Sequence, residues 1–547
     1  MNGALLLIIS IVLFVIAYIG YGGYLTRKWG VQAGRPTPAH TLRDDVDYCP
    51  ADVKVILGHH FSSIAGAAPI TGPIQAIIFG WLPVYLWVLV GNIFFGSVHD
   101  YGAVFASLRH EGKSIGEVVK RNIGPAGKLL FNLFSWLALV LVVAAFTDIC
   151  AGTFAYDPAV GDLTGARAGT ASVLFIILAV LFGYLVYRKN ANLVLSTIIG
   201  VAALAACIWI GYSFPVLQLS KLTWTVIVLL YIVCASVMPV WILLQPRDYL
   251  CSFLLYAVLL GGIAGLLITR PALELPAYTG FAVGEGTAVQ YLFPILFITV
   301  ACGAISGFHS LVASGTTSKQ INKEKDARLI GYGAMLIEGV VAVIAICSVA
   351  YTATQAEGTP AVRFACGVAH FMSGFGIPQQ IGVVFVTLSF SAFALTSVDT
   401  ATRIARYMFQ ELMGKGESRH PAPWRAFLQH PLVGTVITVG CGAMLVAYGY
   451  TKIWPIFGAS NQLLAAMTLM ALTVWFAKTG KTFWPTAIPM VIMFCVTFTA
   501  LALLARSFFA DANWLMGGIA AVLFLLAVIQ IAITARAVSN KEMRLRP

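Results

Sequence analysis

The chain has 547 residues, 59% of them hydrophobic and 10% charged, with a formal net charge of +12. Soluble domains carry about 25% charged residues, so a water-soluble enzyme is excluded. At about 20 apolar residues per crossing, the length allows about fifteen membrane spans. Continuous rather than alternating apolar runs exclude a β-barrel, which leaves an all-α polytopic membrane protein. In a soluble chain the positive balance would suggest nucleic acid; here its distribution along the chain points to the lipid bilayer and to no nucleic acid. Ten scattered cysteines without a CxxC or Cys/His cluster indicate neither a disulfide framework nor a zinc knuckle.

Leu5 to Gly22 has no basic leader and no small-residue cleavage site, and reads as a retained first span. Spans are predicted at 4–24, 56–79, 82–107, 129–150, 170–187, 192–213, 223–244, 250–269, 290–313, 329–353, 380–397, 432–450, 454–477, 484–505 and 514–535. With the N-terminus outside and the C-terminus cytoplasmic, the inner loops receive 28 Lys and Arg and the outer loops six, accounting for all 34. Cytoplasmic loops retain positive charge, and one missed span would invert every later loop and destroy this asymmetry.

The second span carries Gly58-His59-His60-Phe61-Ser62-Ser63-Ile64-Ala65-Gly66-Ala67-Ala68-Pro69-Ile70-Thr71-Gly72-Pro73. Pro69 and Pro73 remove backbone donors and clash with the preceding turn. Irregular main chain survives at membrane depth only inside protein or beside a wet cavity, so this stretch is the candidate ligand site. His59, His60, Ser62, Ser63, Gly66 and Ala67 are its candidate substrate contacts. The adjacent histidines point to different helix faces, one to the cavity and one to packing.

In the third span, Asp100 follows His99. A carboxylate there is costly unless paired or protonated, which suits either reversible proton binding or a structural pair. Ser114-Ile115-Gly116-Glu117 reads as a capping box opening a short cytoplasmic helix. The seventh span is interrupted at Ser236-Val237-Met238-Pro239-Val240, and Met238 and Pro239 join the substrate candidates. A lone proline can also be a harmless kink.

Spans two and seven run in opposite directions, five apart. This predicts two inverted five-helix repeats, each led by a broken helix. The organisation becomes a first span and loop over 1–52, repeat one over 53–213, repeat two with an interfacial helix over 214–413, and accessory spans over 414–547.

The ninth span contains Ser306, His309, Thr316 and Thr317. Its small residues permit close helix approach, or its hydroxyls and carbonyls coordinate Na⁺. His309 is a third histidine for substrate, or a core residue. Glu338, inside the tenth span, joins Asp100 as a proton-coupling candidate. Residues 397–413 place Arg403, Arg406 and Gln410 on one side and Ile404, Met408 and Leu412 on another, as in an interfacial helix with snorkelling arginines. Asp399 is placed to cap that helix. Asn461 and Gln462, in the thirteenth span, read as a packing hydrogen bond outside the repeats.

Several stretches then stand out together: GHHFSSIAGAAPITGP (58–73), SVHDYGAVFASLRHEGKSIGE (97–117), MPVWILLQPRDYL (238–250), ACGAISGFHSLVASGTTSK (301–319), DARLIGYGAMLIEG (326–339), SVDTATRIARYMFQ (397–410) and IWPIFGASNQLLAA (453–466). In this order the chain resembles the carbon starvation protein A (CstA) family of bacterial inner-membrane transporters. The resemblance implies uptake of peptides, or of pyruvate, coupled to a proton gradient, a role in the starvation response, and kinship with amino acid–polyamine–organocation transporters. Ala68 stands where the family's Gly-Ala-Gly-Pro pattern has its second glycine, and the chain is shorter than the family's long members.

The expected function is thus a secondary active transporter, not an enzyme. It has no cofactor and binds a small solute and a coupling proton or Na⁺. The alternative is a membrane-embedded metal or haem enzyme using His59, His60, His99, His309 and Asp100, although no HExxH or C-x-x-C-H motif is present.

Overall fold

The computed structural model describes residues 2–44, 48–159, 161–189, 191–239, 242–284, 289–351, 358–414 and 422–539. It is helical almost throughout; a two-stranded ribbon pairs Ala282–Val283 with Gln290–Tyr291. Among the described residues, twelve helices are long and apolar enough to cross a membrane. The pair Val53–Ile64 and Ala68–Phe79, bent by 43°, makes a thirteenth. The two remaining expected spans correspond to the shorter helices Lys221–Val237 and Pro431–Val446, so the fifteen expected segments are not all of spanning length.

Local sequence explains the ends. Asp52, Asn192 and Ser220 cap their helices through side-chain oxygens, accepting from Lys54, Leu195 and Thr223. Prolines open helices 125–154, 360–373 and 431–446, where the missing N–H costs nothing. Helix 115–122 follows Ser114 as expected, but Ser114 makes no capping bond. The Ile115 N–H instead donates to Ser314 Oγ at 3.3 Å, and Glu117 accepts from Lys128 at 2.5 Å.

Helices 125–154 and 379–412 lie against each other at the centre, and helices 221–237 and 431–446 pack on both. Around this core, helix 244–269 packs on half-helix 53–64, and helix 450–478 packs on segments 292–300 and 307–315. Helix 360–373, absent from the expected spans, packs between helices 244–269 and 379–412. Helices 164–186, 194–213, 484–510 and 514–539 are the least buried of the apolar set apart from the first. They present side chains such as Leu195, Ile198, Ile488 and Leu525 outward, as lipid contact requires.

The expected interfacial helix at 397–413 does not exist as a separate element. It is the end of the continuous helix Gln379–Leu412, and Arg403 and Arg406 are buried rather than snorkelling. Arg403 donates to the carbonyls of Ala235 and Met238, both at 2.7 Å, and Arg406 to that of Ser236 at 2.6 Å. The last carbonyls of a helix lack intrahelical partners and favour cations. The two guanidinium groups therefore close the broken end of helix 221–237.

Candidate functional site

The second span breaks where its composition demands. Helix 53–64 ends at Ala65 (φ −78, ψ 60), and the chain re-enters helix at Ala68 with Pro69 in the first turn and Pro73 inside. Gly66 makes a close approach: a Cβ there would displace the Ser397 hydroxyl and lie 3.1 Å from Ser397 Cβ. Among the described residues, no side chain hydrogen-bonds the main chain of residues 64–68.

A second broken helix crosses the first. It is 292–315, not the 236–240 interruption expected from sequence. Segment 292–300 leaves helical geometry at Ala301 (φ 44), and Gly307–Gly315 resumes after the extended Ser306. Half-helix 68–76 packs on 292–300, and 53–64 on 307–315. A Cβ on Gly72 would meet the carbonyl oxygens of Val300 and Thr299 at 2.5 and 2.6 Å, so the two chains touch through main chain. The interruption at Met238 and Pro239 is real, but its carbonyls face Arg403 and Arg406, and its helix packs on 125–154, 379–412 and 431–446. The ninth-span signal was the run Gly303 to Gly307, read from sequence only as small residues or ion ligands.

Helix 450–478 repairs the second break. Asn461 Oδ1 accepts from Phe308 N at 2.9 Å, and its Nδ2 donates to Ser306 Oγ at 3.0 Å. Gln462 Nε2 donates to Phe297 O at 2.7 Å, and Trp454 Nε1 to Thr299 O at 3.3 Å. Asn461 and Gln462 do make packing hydrogen bonds, but at the crossing rather than away from it.

Beside the crossing is a small cavity lined by Gly66, Ala68, Phe146, Cys302, Phe308 and Ser397, with room for about one water. Of the expected substrate contacts, Gly66 alone lines it. Ser62 and Ser63 donate to the carbonyl of His59 at 3.1 and 2.9 Å. His60 is fully buried, and its Nδ1 is 2.9 Å from Thr317 Oγ1. His59 keeps 16% of its side chain exposed and lies 3.9 Å from Asp248. Thr316 bonds its own helix at Val312 O.

Three candidates from separate spans converge. His309 Nδ1 is 2.8 Å from Asp100 Oδ2, and His309 Nε2 is 3.6 Å from Glu338 Oε2. His99 Nδ1 approaches Asp100 Oδ1 at 2.7 Å. All four side chains are fully buried, so each charge depends on its neighbours for compensation. Sequence had set His309 with the substrate; the structure places it between the two carboxyl groups.

A second buried cluster escaped the sequence reading. Arg247 contacts Asp399, meets Asp248 at 3.0 Å and donates to Tyr231 Oη at 2.6 Å; Tyr231 in turn donates to Asp399 at 2.9 Å. Asp399 is thus held by an arginine 152 positions away and caps no helix. Among the described residues, no three His, Cys, Asp or Glu side chains are arranged to hold a metal. The histidines of the alternative enzyme reading are turned to protein partners.

A family model described as carbon starvation protein CstA matches residues 2–357 and 347–500. The chain belongs to this family. It is 33% identical over 518 residues to the peptide transporter CstA of Bacillus subtilis (strain 168), covering 86% of this chain and 84% of that protein. It is also 33% identical over 589 residues to the peptide transporter CstA of Escherichia coli (strain K12), covering 91% and 80%. The pyruvate/proton symporter BtsT of the same strain is 30% identical over 597 residues, covering 91% and 81%. A solved manganese transporter from Eremococcus coleocola covers 91% of this chain and 99% of its own at 11% identity, with a TM-score of 0.46. With twelve helices of membrane-spanning length among the described residues and relatives named as transporters, this CstA-family chain is a multi-pass membrane transporter.

Proposed function

We propose that the protein is a secondary active importer of short peptides, or of a small carboxylate such as pyruvate, in the bacterial inner membrane. Its N-terminus is outside and uptake is coupled to protons. Access alternates around the crossed broken helices 53–79 and 292–315. The observation that carries this reading is their contact at mid-length, with a buried Asp100–His309–Glu338 array attached to one of them. Half-helix ends supply N–H groups and carbonyls that grip a solute without a fixed side-chain charge.

In this reading Gly66 and Ala67 offer main chain to the solute, with Ser62, Ser63, His59 and His60 shaping the approach. Asp100, Glu338 and His309 carry the coupling proton. Ser306, Thr316 and Thr317 serve packing, because their hydroxyls bond Asn461, Val312 and His60. Proton coupling is favoured over Na⁺ because the array is built of titratable groups.

The repeats are redrawn from the packing. Helices 53–79, 81–109, 125–154, 221–237 and 244–269 correspond to 292–315, 324–351, 379–412, 431–446 and 450–478. The hairpin 164–213 is inserted, and 3–29, 484–510 and 514–539 are peripheral. Supporting this pairing, 125–154 packs on 450–478 as 379–412 packs on 244–269. Likewise 68–76 packs on 334–351 as 307–315 packs on 97–109. We infer these boundaries in place of the expected 53–213 and 214–413.

The test is uptake of labelled dipeptide and pyruvate into proteoliposomes under an imposed pH or Na⁺ gradient. Accumulation driven by the pH gradient is expected. No uptake of either solute under either gradient, from protein of verified fold, overturns the reading.

A further inference from the structure

A second, larger cavity sits on the same wall as the first. It is lined by Thr71, Asp148, Gly152, Lys221, Phe390 and Tyr450 among others. Half-helix 68–76 contributes Ala68 to the inner cavity and Thr71, three residues on and so on the same face, to this one. Helix 125–154 contributes Phe146 to the inner cavity and Asp148 and Ile149 to the outer. The two hollows are therefore stacked along one face, and the outer one lies on the side of the bundle where the loops hold few lysines and arginines.

The outer cavity contains both signs of charge. Asp148 is buried at 3% exposure and accepts from Lys221 Nζ at 2.8 Å through Oδ1 and from Tyr450 N at 2.9 Å through Oδ2. Lys221 is half-exposed. Among the described residues, the Thr71 hydroxyl on the same lining is buried and finds no hydrogen-bond partner. A buried hydroxyl left unpaired is costly, so this one is open to a water or a ligand group in the cavity. With the ion pair made, the cavity has room for only a few waters, so a solute must part Lys221 from Asp148 to enter.

Parting the pair returns half-exposed Lys221 to solvent but leaves buried Asp148 with only the Tyr450 N–H, so the aspartate needs a replacement cation and the freed lysine is open to an anion. A solute with one carboxylate replaces only Asp148 on the lysine and strands the aspartate. A solute with a carboxylate and an ammonium replaces both. We propose that Lys221 and Asp148 form an outer recognition site for a zwitterionic solute of the short-peptide class. Its carboxylate takes Lys221, its ammonium takes Asp148, and Thr71 hydrogen-bonds it beside the first break. The proposal rests on the importer reading and narrows its substrate class.

The test compares a free dipeptide, the same dipeptide N-acetylated, and pyruvate as substrates of the full-length protein in proteoliposomes. Wild-type protein is expected to show a KM for the free dipeptide at least about tenfold below that of the other two, since a site built for a polar group rejects an analogue lacking it. Asp148→Asn is expected to remove the preference for the free amine. Lys221→Cys should raise the dipeptide KM, and modification with 2-aminoethyl methanethiosulfonate, which restores a positive charge, should lower it again. A neutral reagent should not; both are applied in a background whose ten native cysteines are replaced by serine, itself checked for wild-type dipeptide KM. Equal wild-type KM values for free and acetylated dipeptide overturn the site while leaving the importer standing, and this comparison needs no variant to fold. A Lys221→Cys protein with wild-type KM also overturns it. Wild-type protein that moves none of the three solutes sinks the importer reading, and the site with it.

Discussion

The two broken helices differ in how their breaks are held. Around 301–306 the chain is stapled: Gln462 and Trp454 of helix 450–478 hold Phe297 O and Thr299 O ahead of the irregular chain, Asn461 holds Ser306 Oγ and Phe308 N at its end, and Asn92 Nδ2 donates to Gly303 O at 3.2 Å within it. At 65–67, among the described residues, no side chain bonds the main chain; Ala65 N and Gly66 N donate to Phe61 O and Ile64 O at 2.8 Å each, within the same segment, and Gly66 lies close to Ser397. The titratable groups differ too, with His59 of the first broken helix 3.9 Å from Asp248, whose charge is already matched by Arg247. His309, on the stapled helix, joins Asp100 and Glu338, whereas His60, on the unstapled one, faces the hydroxyl of Thr317. A main chain braced by side chains from other helices is less free to rearrange for a solute than one bonded only within its own segment. Under the proposed function, this difference favours proton handling on 292–315 and solute handling on 53–79.

The largest effect that sharpens this division is expected from Asp100→Asn. Asparagine keeps a hydrogen-bond acceptor for His309 but cannot carry the charge. Accumulation of labelled solute above its equilibrium ratio under a pH gradient should be abolished, while counterflow exchange continues because the 65–67 break is intact. Loss of exchange to the same extent would mean that Asp100 holds the fold rather than the proton.

Gly66→Ala should strike both activities together. Its methyl group would displace the Ser397 hydroxyl and lie 3.1 Å from Ser397 Cβ, and overpacking of this kind costs about 1–3 kcal/mol. Uptake and exchange should both fall at least about tenfold, the equivalent of 1.4 kcal/mol. Ser397→Gly in the same chain should recover most of that loss by removing the obstructing side chain. A Gly66→Ala protein with normal exchange would separate the 65–67 break from solute binding.

What the sequence made legible follows from which forces are local. Pro69 and Pro73 act on their own turns, so the break in the second span could be read directly. The break at 301–306 contains no proline, and its staple comes from Asn461, 153 residues beyond Phe308; nothing local separates that pattern from ordinary close packing. The misread arginines fail for the same reason. Arg403 and Arg406 have the spacing of an interfacial helix, and only the carbonyl-rich end of helix 221–237, brought alongside by the fold, makes burial favourable. Met238 and Pro239 correctly marked a helix end but not which helix would cross the second span. Asp100, Glu338 and His309 were visible as costly intramembrane groups, while their convergence required three spans to be packed.

The smallest effect tests the staple itself. Asn461→Ala removes the acceptor for Phe308 N and the donor to Ser306, leaving buried groups unpaired at a cost of about 1–3 kcal/mol. The thermal unfolding midpoint in detergent should fall, and uptake should slow without a change in the dipeptide KM, because the solute-gripping break is on the other helix. Asn461→Asp retains the acceptor for Phe308 N and should lose less of the midpoint. If Asn461→Ala instead raises KM with stability unchanged, the 301–306 main chain contacts solute as directly as 65–67 does. The functional asymmetry between the two helices would then be withdrawn in favour of a symmetric grip, with Asn461 acting as a stand-in partner that the solute displaces.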